Sequence, residues 1–310
     1  MQVLVTGGAG FIGSNFVHYL LTERNDIEIT TLDKLTYAGS RNNLDGVLDD
    51  LRHTFIEGDI CNRDLVADLV ADADVVVNFA AESHVDRSIE GARPFVETNV
   101  TGTQTLLDAA NETDIQRFLQ ISTDEVYGQV LDGKFSEDDN LNPRNPYSAT
   151  KASADLLAQS YATTHDLPVV ITRTCNNFGP RQHPEKLIPK FIRRAAAGKS
   201  LPLYGDGSNI REWIYVEDNC QALDLVLQDG NIGEIYNIGS GHEHTNFEVT
   251  QTILDAVDAD EDLIEFVDDR AGHDQRYALD TTKIENLGWE AEWSFEEGLE
   301  QTVDHYLTDK

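Results

Sequence analysis

Tyr147 and Lys151 stand four residues apart in the run YSATK. On a helix that spacing puts both side chains on one face. An ammonium beside a phenol favours the phenolate and lowers its pKa towards working pH, which fits the tyrosine to accept a hydroxyl proton. A second cluster, Thr123-Asp124-Glu125, offers a hydroxyl and two carboxyls in succession. Two carboxyls serve as acid and base in one site only when their surroundings hold their pKa values apart. Neither cluster is specific by itself. YxxxK arises often by chance, and adjacent acids are ordinary in an acid-rich chain.

The elements that must position them follow from hydrophobic period and turn residues. Strands are expected at 2–6, 27–32, 53–57, 74–80, 116–122 and 168–173, and helices at about 11–23, 62–71, 91–111 and 146–165. Such alternation implies a parallel sheet with right-handed crossovers, a doubly wound α/β (Rossmann) fold. Pro146 suits the first turn of the helix that carries Tyr147. Ser122 and Thr123 close the fifth strand at its carboxyl end, where doubly wound folds bind ligands. The rhythm breaks over 175–209, rich in Pro and Gly, and resumes with a helix at 216–229 and a strand at 233–239. Residues 1–174 with 209–239 are therefore expected to form a dinucleotide-binding domain. Residues 175–208 with 240–310 should form a smaller, mostly C-terminal substrate lobe.

The run TGGAGFIG places Gly7, Gly10 and Gly13 between the first strand and first helix. Gly7 permits the tight turn, Gly10 the approach of a pyrophosphate, and Gly13 close helix–strand packing. The helix start supplies free amides and partial positive charge. Asp33 follows Gly13 by 20 residues, at the end of the second strand. Its carboxylate would bond ribose hydroxyls and repel a 2′-phosphate, favouring NAD over NADP, while Lys34 beside it argues the other way. Asp59, in Gly58-Asp59-Ile60, ends the third strand, where an adenine would lie.

The formal net charge is −33 over 310 residues. So acidic a surface argues against nucleic acid and against an anionic membrane as partners. Self-repulsion would destabilise the compact state at low salt, whereas at about 1 M salt the Debye length of about 3 Å screens most of it. A halophilic, salt-rich cytoplasm is the expected setting. No apolar run is long enough to cross a bilayer, and no leader precedes the first strand. Cys61, Cys175 and Cys220 suggest neither a disulfide framework nor a zinc site, so no metal is expected. Against this background, eight Lys or Arg face only Glu185 and Asp206 between Arg173 and Arg211. That local excess is read as an anion site for a phosphorylated ligand.

With these runs in view, the chain resembles the extended short-chain dehydrogenases/reductases and, more finely, the dTDP-glucose 4,6-dehydratases. The likeness runs through LTYAG (35–39), AAESHVDRSI (80–89), STDEVYG (122–128), NNFGP (176–180), PEKLIP (184–189), IREWIYVED (210–218) and DRAGHDQRYA (269–278). STDEVYG and PEKLIP are far more specific than the glycine run. The resemblance implies a cycle on a nucleotide-diphosphate sugar. Tyr147 takes the carbon 4 hydroxyl proton as hydride passes to tightly bound NAD, and Thr123 bonds the carbon 4 oxygen. The ketone makes the carbon 5 proton removable by Glu125, Asp124 protonates the departing carbon 6 hydroxyl, the hydride returns to carbon 6, and carbon 5 is reprotonated. The product would be a 4-keto-6-deoxy sugar, an early intermediate towards a deoxysugar such as rhamnose.

The resemblance further implies cofactor contacts from Phe11, Ile12, Lys34, Thr36, Ile60, Ala80, Ala81, Ser83, Thr98, Tyr147, Lys151 and Asn177. Ser83, Glu82, Asp86, Asn176 and Leu187 would face the sugar or diphosphate. Lys186, Tyr204, Arg211, Asn246, Arg270 and His273 would line the nucleotide. His84, Trp213 and Tyr215 are read as packing. The chain departs from the family pattern at Cys175, Phe178, Glu212, Ala271 and Gln275, and the last two put base preference in question. A nucleotide-sugar 4-epimerase needs Tyr147 but no acid–base pair, and GDP-mannose dehydratases usually carry Ser where Asp124 stands. A UDP- or GDP-hexose dehydratase and an NAD-binding regulator without turnover complete the alternatives. Helices near 91–111 and 146–165 are expected to pair in a homodimer.

Overall fold

The structure, a computed structural model, describes residues 1–269 and 273–308. In chain order the first elements are β1 (Gln2–Thr6), α1 (Phe11–Glu23), β2 (Glu28–Asp33), β3 (His53–Glu57), α2 (Arg63–Ala71), β4 (Val75–Asn78), α3 (Val85–Glu90), α4 (Arg93–Phe95), α5 (Thr103–Asn111), β5 (Arg117–Thr123), α6 (Pro146–His165) and β6 (Val169–Thr174). The chain continues through β7 (Asn176–Phe178), α7 (Leu187–Ala196), β8 (Leu201–Tyr204), β9 (Ile210–Tyr215), α8 (Val216–Asp229), β10 (Ile235–Ile238), β11 (Glu243–Thr245), α9 (Asn246–Ala256), β12 (Ile264–Val267), α10 (Thr282–Glu285) and α11 (Phe295–Thr308).

Seven strands form one parallel sheet in the order β10-β6-β5-β4-β1-β2-β3. Parallel strands are covered on both faces, which is why β1, β4 and β6 read as continuous apolar runs rather than alternating ones. The order reverses between β1 and β4, the switch point where doubly wound sheets open a crevice at their carboxyl ends. This is the expected α/β Rossmann architecture.

Where the sequence suggests one helix over 91–111, the chain forms α4, a widened π-helical stretch Val96–Gly102, and then α5. Val96, Thr98, Val100 and Thr101 are β-branched and weaken α-helical order. The buried Asn99 accepts from the Glu82 amide (2.8 Å) and donates to the Glu82 carbonyl (3.1 Å) and the Thr150 hydroxyl (2.9 Å). Such bulges are frequent at functional sites.

The 175–209 stretch holds β7, α7 and β8 despite its Pro and Gly content. A second, small sheet has the order β11-β9-β7, and β12 pairs with β8. Thus β9, inside the segment expected in the first domain, pairs outside the large sheet. The edge it would need is taken by β10, which pairs with β6 from Ile235 opposite Ile171. Phe178, Ile188, Phe191, Trp213, Phe295 and Leu299 fill a separate core around these small sheets.

Candidate active site

At the carboxyl ends of the large sheet lies a cavity of about 880 Å³. That volume suits a drug-sized to dinucleotide-sized ligand set. Its floor is the β1–α1 turn. A methyl group on Gly7 would sit 2.6 Å from the Ala80 amide nitrogen, and one on Gly13 would sit 2.4 Å from the Gly7 carbonyl. Side chains at either place would force β1, α1 and the β4 end apart. Over Gly10 the nearest atom is the Gly7 carbonyl at 3.2 Å, so the space above it opens towards the cavity. No side chain caps the N-terminus of α1, and its first turn carries no acid. Its amides remain available to an anion.

Asp33 ends β2 with both oxygens held: Oδ2 accepts from the Ala9 amide (3.0 Å) and Oδ1 from the Leu35 amide (2.8 Å). Burial nevertheless pushes its carboxyl up. A carboxylate has lone pairs left for ribose hydroxyls after two such bonds. Lys34, which weighed towards a phosphorylated ribose, is paired with Asp59 at 2.6 Å. Phe11, Ile12, Thr36, Ile60, Ala80, Ala81 and Thr98 line the same wall, Thr98 from the π-helical stretch. Asn177 donates to the Cys175 carbonyl (3.1 Å) and leaves a buried side-chain oxygen with no partner. The open glycine cradle, the uncapped helix start and this unpartnered acceptor fit a dinucleotide.

The chemical groups converge from two elements. Helix α6 starts at an Asn145 capping box with Ser148, followed by Pro146, and these set its first turn. Tyr147 and Lys151 then face the end of β5, where a tight turn over Asp124–Tyr127 follows Thr123. The Thr123 hydroxyl donates to Asp124 Oδ1 (3.1 Å), and Asn145 donates to Glu125 Oε2 (3.2 Å). Asp124 is fully buried, and its Oδ2 has no partner. Burial first, then the charges of Glu125 and Glu212, push its carboxyl well above the usual range. That favours the protonated form, in which it can act as an acid.

Tyr147 departs from expectation. Burial, then Glu125, push its phenol well above the usual value, against the pull of the Thr123 hydroxyl. The ammonium of Lys151 does not reverse this, because desolvation and the carboxylates dominate. Burial also lowers Lys151 to about 8, and its Nζ donates to the Ile121 carbonyl at 2.5 Å.

The substrate side is walled by Glu82, Ser83, Asp86, Asn176, Lys186, Leu187, Tyr204, Arg211, Asn246 and His273. Lys186 donates to the Ser83 carbonyl (3.1 Å), joining the two sides of the mouth. Arg211 lies over the Tyr277 ring (4.4 Å) and donates to the Asp274 carbonyl (2.8 Å). His273 meets Asp269 at 2.6 Å and packs edge-on to Tyr204. Arg270 and Ala271 lie outside the described residues. Gln275 is not among the cavity-lining residues and donates to the Ser208 carbonyl (3.0 Å).

Two expectations change. The basic stretch 173–211 is not one anion patch, for only Lys186, Lys190 and Arg211 among its eight cations line the cavity. Arg173 is buried on Asp155, Arg181 bonds Asn15, Arg193 covers Tyr306 and Arg194 bonds Ser200. His84 and Trp213, read as packing, also line the cavity, each with an unpartnered ring nitrogen, whereas Tyr215 packs against Phe178.

Sequence reasoning missed a group at the mouth. Arg87 donates to both oxygens of Glu185 (2.9 Å each) and lies over the Tyr37 ring (4.2 Å), which meets His183 edge-on. It also missed Tyr277, buried beside Arg211, and Asn99. The positions of Tyr37, Arg87, Glu185 and Tyr277 inside LTYAG, AAESHVDRSI, PEKLIP and DRAGHDQRYA were the available signal, whereas His183 and Asn99 lie outside those runs.

A family model described as GDP-mannose 4,6 dehydratase matches residues 4–302. A dTDP-glucose 4,6-dehydratase from Streptomyces niveus is 50% identical, covering 99% of this chain and 93% of its own. The chain belongs to the dTDP-glucose 4,6-dehydratase family. Low-salt glycan biosynthesis protein Agl12 of Haloferax volcanii is 74% identical, over 100% of this chain and 99% of its own. Among solved structures of the family, a dTDP-glucose 4,6-dehydratase from Streptomyces venezuelae with NAD bound superposes with a TM-score of 0.98 at 51% identity, covering 100% of this chain and 98% of that one.

Proposed function

We propose that this chain dehydrates dTDP-glucose to a 4-keto-6-deoxy product, using NAD held over the β1–α1 turn. The observation that carries the reading is Asp124, buried and pushed towards its protonated form beside Glu125 in the cavity that also holds Tyr147 and Lys151. An epimerase has no use for that arrangement.

NAD, when bound, supplies a reversible acceptor for the carbon 4 hydrogen and its electron pair. Gly7, Gly10, Gly13, Asp33 and Asn177 would hold it, and Lys34 and Asp59 would flank the adenosine end. Thr123 orients the carbon 4 hydroxyl and Tyr147, once ionised, accepts its proton, the ammonium of Lys151 offsetting part of the burial that opposes the phenolate. Glu125 removes the carbon 5 proton and Asp124 protonates the departing carbon 6 hydroxyl; the hydrogen and electron pair lent to NAD would then return to carbon 6 as carbon 5 takes back a proton. Glu82, Ser83, Asp86 and Asn176 take the sugar. Lys186, Tyr204, Arg211, Asn246 and His273 take the nucleotide diphosphate, the two cations matching its charge. Residues 1–174 with 209–239 serve the cofactor and 175–208 with 240–310 the substrate, except that β9 belongs by pairing to the small sheet.

The same reading places the enzyme in a salt-rich cytoplasm, on the net charge of −33. Among the described residues no helix is long and apolar enough to cross a membrane. It also pairs two copies through the helical segments 91–111 and 146–165, where Val96 and Leu156 expose 46% and 57% of their surface. Light scattering at high salt should give twice the chain mass of 34.5 kDa, and a mass of one chain would refute the dimer.

The deciding assay incubates the protein with dTDP-glucose and follows the alkaline absorbance of a 4-keto-6-deoxy sugar. No such product from dTDP-, UDP- or GDP-hexoses would end the dehydratase reading. Product from UDP- or GDP-glucose alone would change the base.

A further inference from the structure

Asp155 lies four residues beyond Lys151 on α6, one turn further along the same face. Both are buried, Asp155 with no exposed surface. Asp155 Oδ2 accepts from Arg173 Nε at 3.0 Å. Arg173, itself 1% exposed, donates through a second nitrogen to the Tyr127 hydroxyl (2.8 Å). That hydroxyl donates onward to Asn237 Oδ1 (2.8 Å), and Asn237 donates to the Phe135 carbonyl (3.0 Å). The carboxylate is thus fixed by a chain of buried bonds reaching from α6 through β6 to β10.

The charged group set against this pair from another element is Arg173 of β6, which carries Tyr127 from the turn after β5 on its second nitrogen. Burial pushes the Asp155 carboxyl up, and Arg173 and then Lys151 pull it back towards the ionised form. A lone buried guanidinium would be far costlier than the ion pair. Burial works against the Lys151 charge, and Asp155 is the carboxylate that supports it.

We propose that Asp155 is a positioning residue for the proton transfer at Tyr147. Its carboxylate, locked by Arg173, keeps Lys151 in the ammonium form. The inference rests on the function proposed for Tyr147 and Lys151. The Asp155–Arg173 pair would stabilise the fold with or without this role, so the test must separate the two.

The test is Asp155→Asn, read in two ways. Lysine labelled with ¹³C at the ε-carbon gives the Lys151 titration directly by NMR, its signal assigned by its loss in Lys151→Met. The wild-type signal should titrate near 8. In Asp155→Asn the midpoint should fall by about one unit or more. The alkaline limb of kcat should fall with it, giving about a fivefold loss at pH 8 and about a twofold loss at pH 7 with KM unchanged. Asp155→Glu should restore part of both. If Asp155→Asn does not fold, Asp155→Asn with Arg173→Met removes both charges and leaves no lone buried ion. A smaller shift in the same direction is expected there, because loss of the Arg173 cation offsets part of the loss of the carboxylate.

A wild-type Lys151 midpoint and an unmoved alkaline limb in a folded variant would overturn the inference and leave Asp155 a structural ion pair. Should the wild type dehydrate no nucleotide sugar, the proposed function fails, and the NMR titration still decides whether Asp155 holds the Lys151 charge.

Discussion

Asp124 receives the Thr123 hydroxyl on one carboxyl oxygen at 3.1 Å, while its other oxygen is buried with no partner. A carboxylate left so would be heavily penalised, and the protonated acid is favoured. Asp124→Asn keeps the shape and removes the transferable proton. Elimination should slow about 10²-fold or more. Carbon 4 oxidation, seen as absorbance of reduced cofactor near 340 nm, should persist and accumulate. Loss of that absorbance signal would contradict the division of labour between Asp124 and Tyr147.

Asp33 is placed to choose between cofactors, since its oxygens are oriented by the Ala9 and Leu35 amides and Lys34 is already paired with Asp59. Asp33→Ser should weaken NAD binding about tenfold, the worth of about 1.4 kcal/mol. NADP should gain relative to NAD, because the repelling charge is gone. Calorimetric titration with each nucleotide measures this, and an unchanged preference would remove Asp33 from the selective contacts.

The pH dependence has a definite sign. Burial brings Lys151 down to about 8 in the folded chain, from the ordinary 10.5. The ammonium is complete well below pH 8, so the rate should be sustained there and decline as pH rises through about 8. For stability the direction reverses. Between about pH 8 and 10.5 the unfolded lysine holds more protons than the folded one, so this group makes stability rise with pH. A denaturant series on wild type and Lys151→Met isolates its share, and a rise of equal size in both would exclude Lys151.

The charge of −33 makes folding salt-dependent. Repulsion between surface carboxylates is screened as potassium chloride rises towards 1 M or more. The thermal midpoint should climb by several degrees or more over that range, as an increment of about 1 kcal/mol moves a domain of this size by about 2–4 °C. A midpoint flat in salt would refute the halophilic reading.

Much of this architecture is local in origin. Strand and helix periodicity, the glycine turn and the YxxxK spacing each depend on residues close in the chain. They delivered the doubly wound sheet, the β1–α1 cradle and the joint placement of Tyr147 with Lys151 on α6. What depends on distant neighbours was not legible. The break of 91–111 into a π-helical stretch comes from Asn99 bonding Glu82 and Thr150, and the siting of β9 comes from β10 occupying the edge of β6. Burial decided the electrostatics. It pushed Tyr147 up rather than down, raised the Asp124 carboxyl, and turned Arg173 from a presumed ligand contact into the partner of Asp155. The sequence determined which groups are present and how they are spaced along their elements. Only the tertiary structure decided their charge states and partners, because desolvation and ion pairing are set by what packs around a group in space.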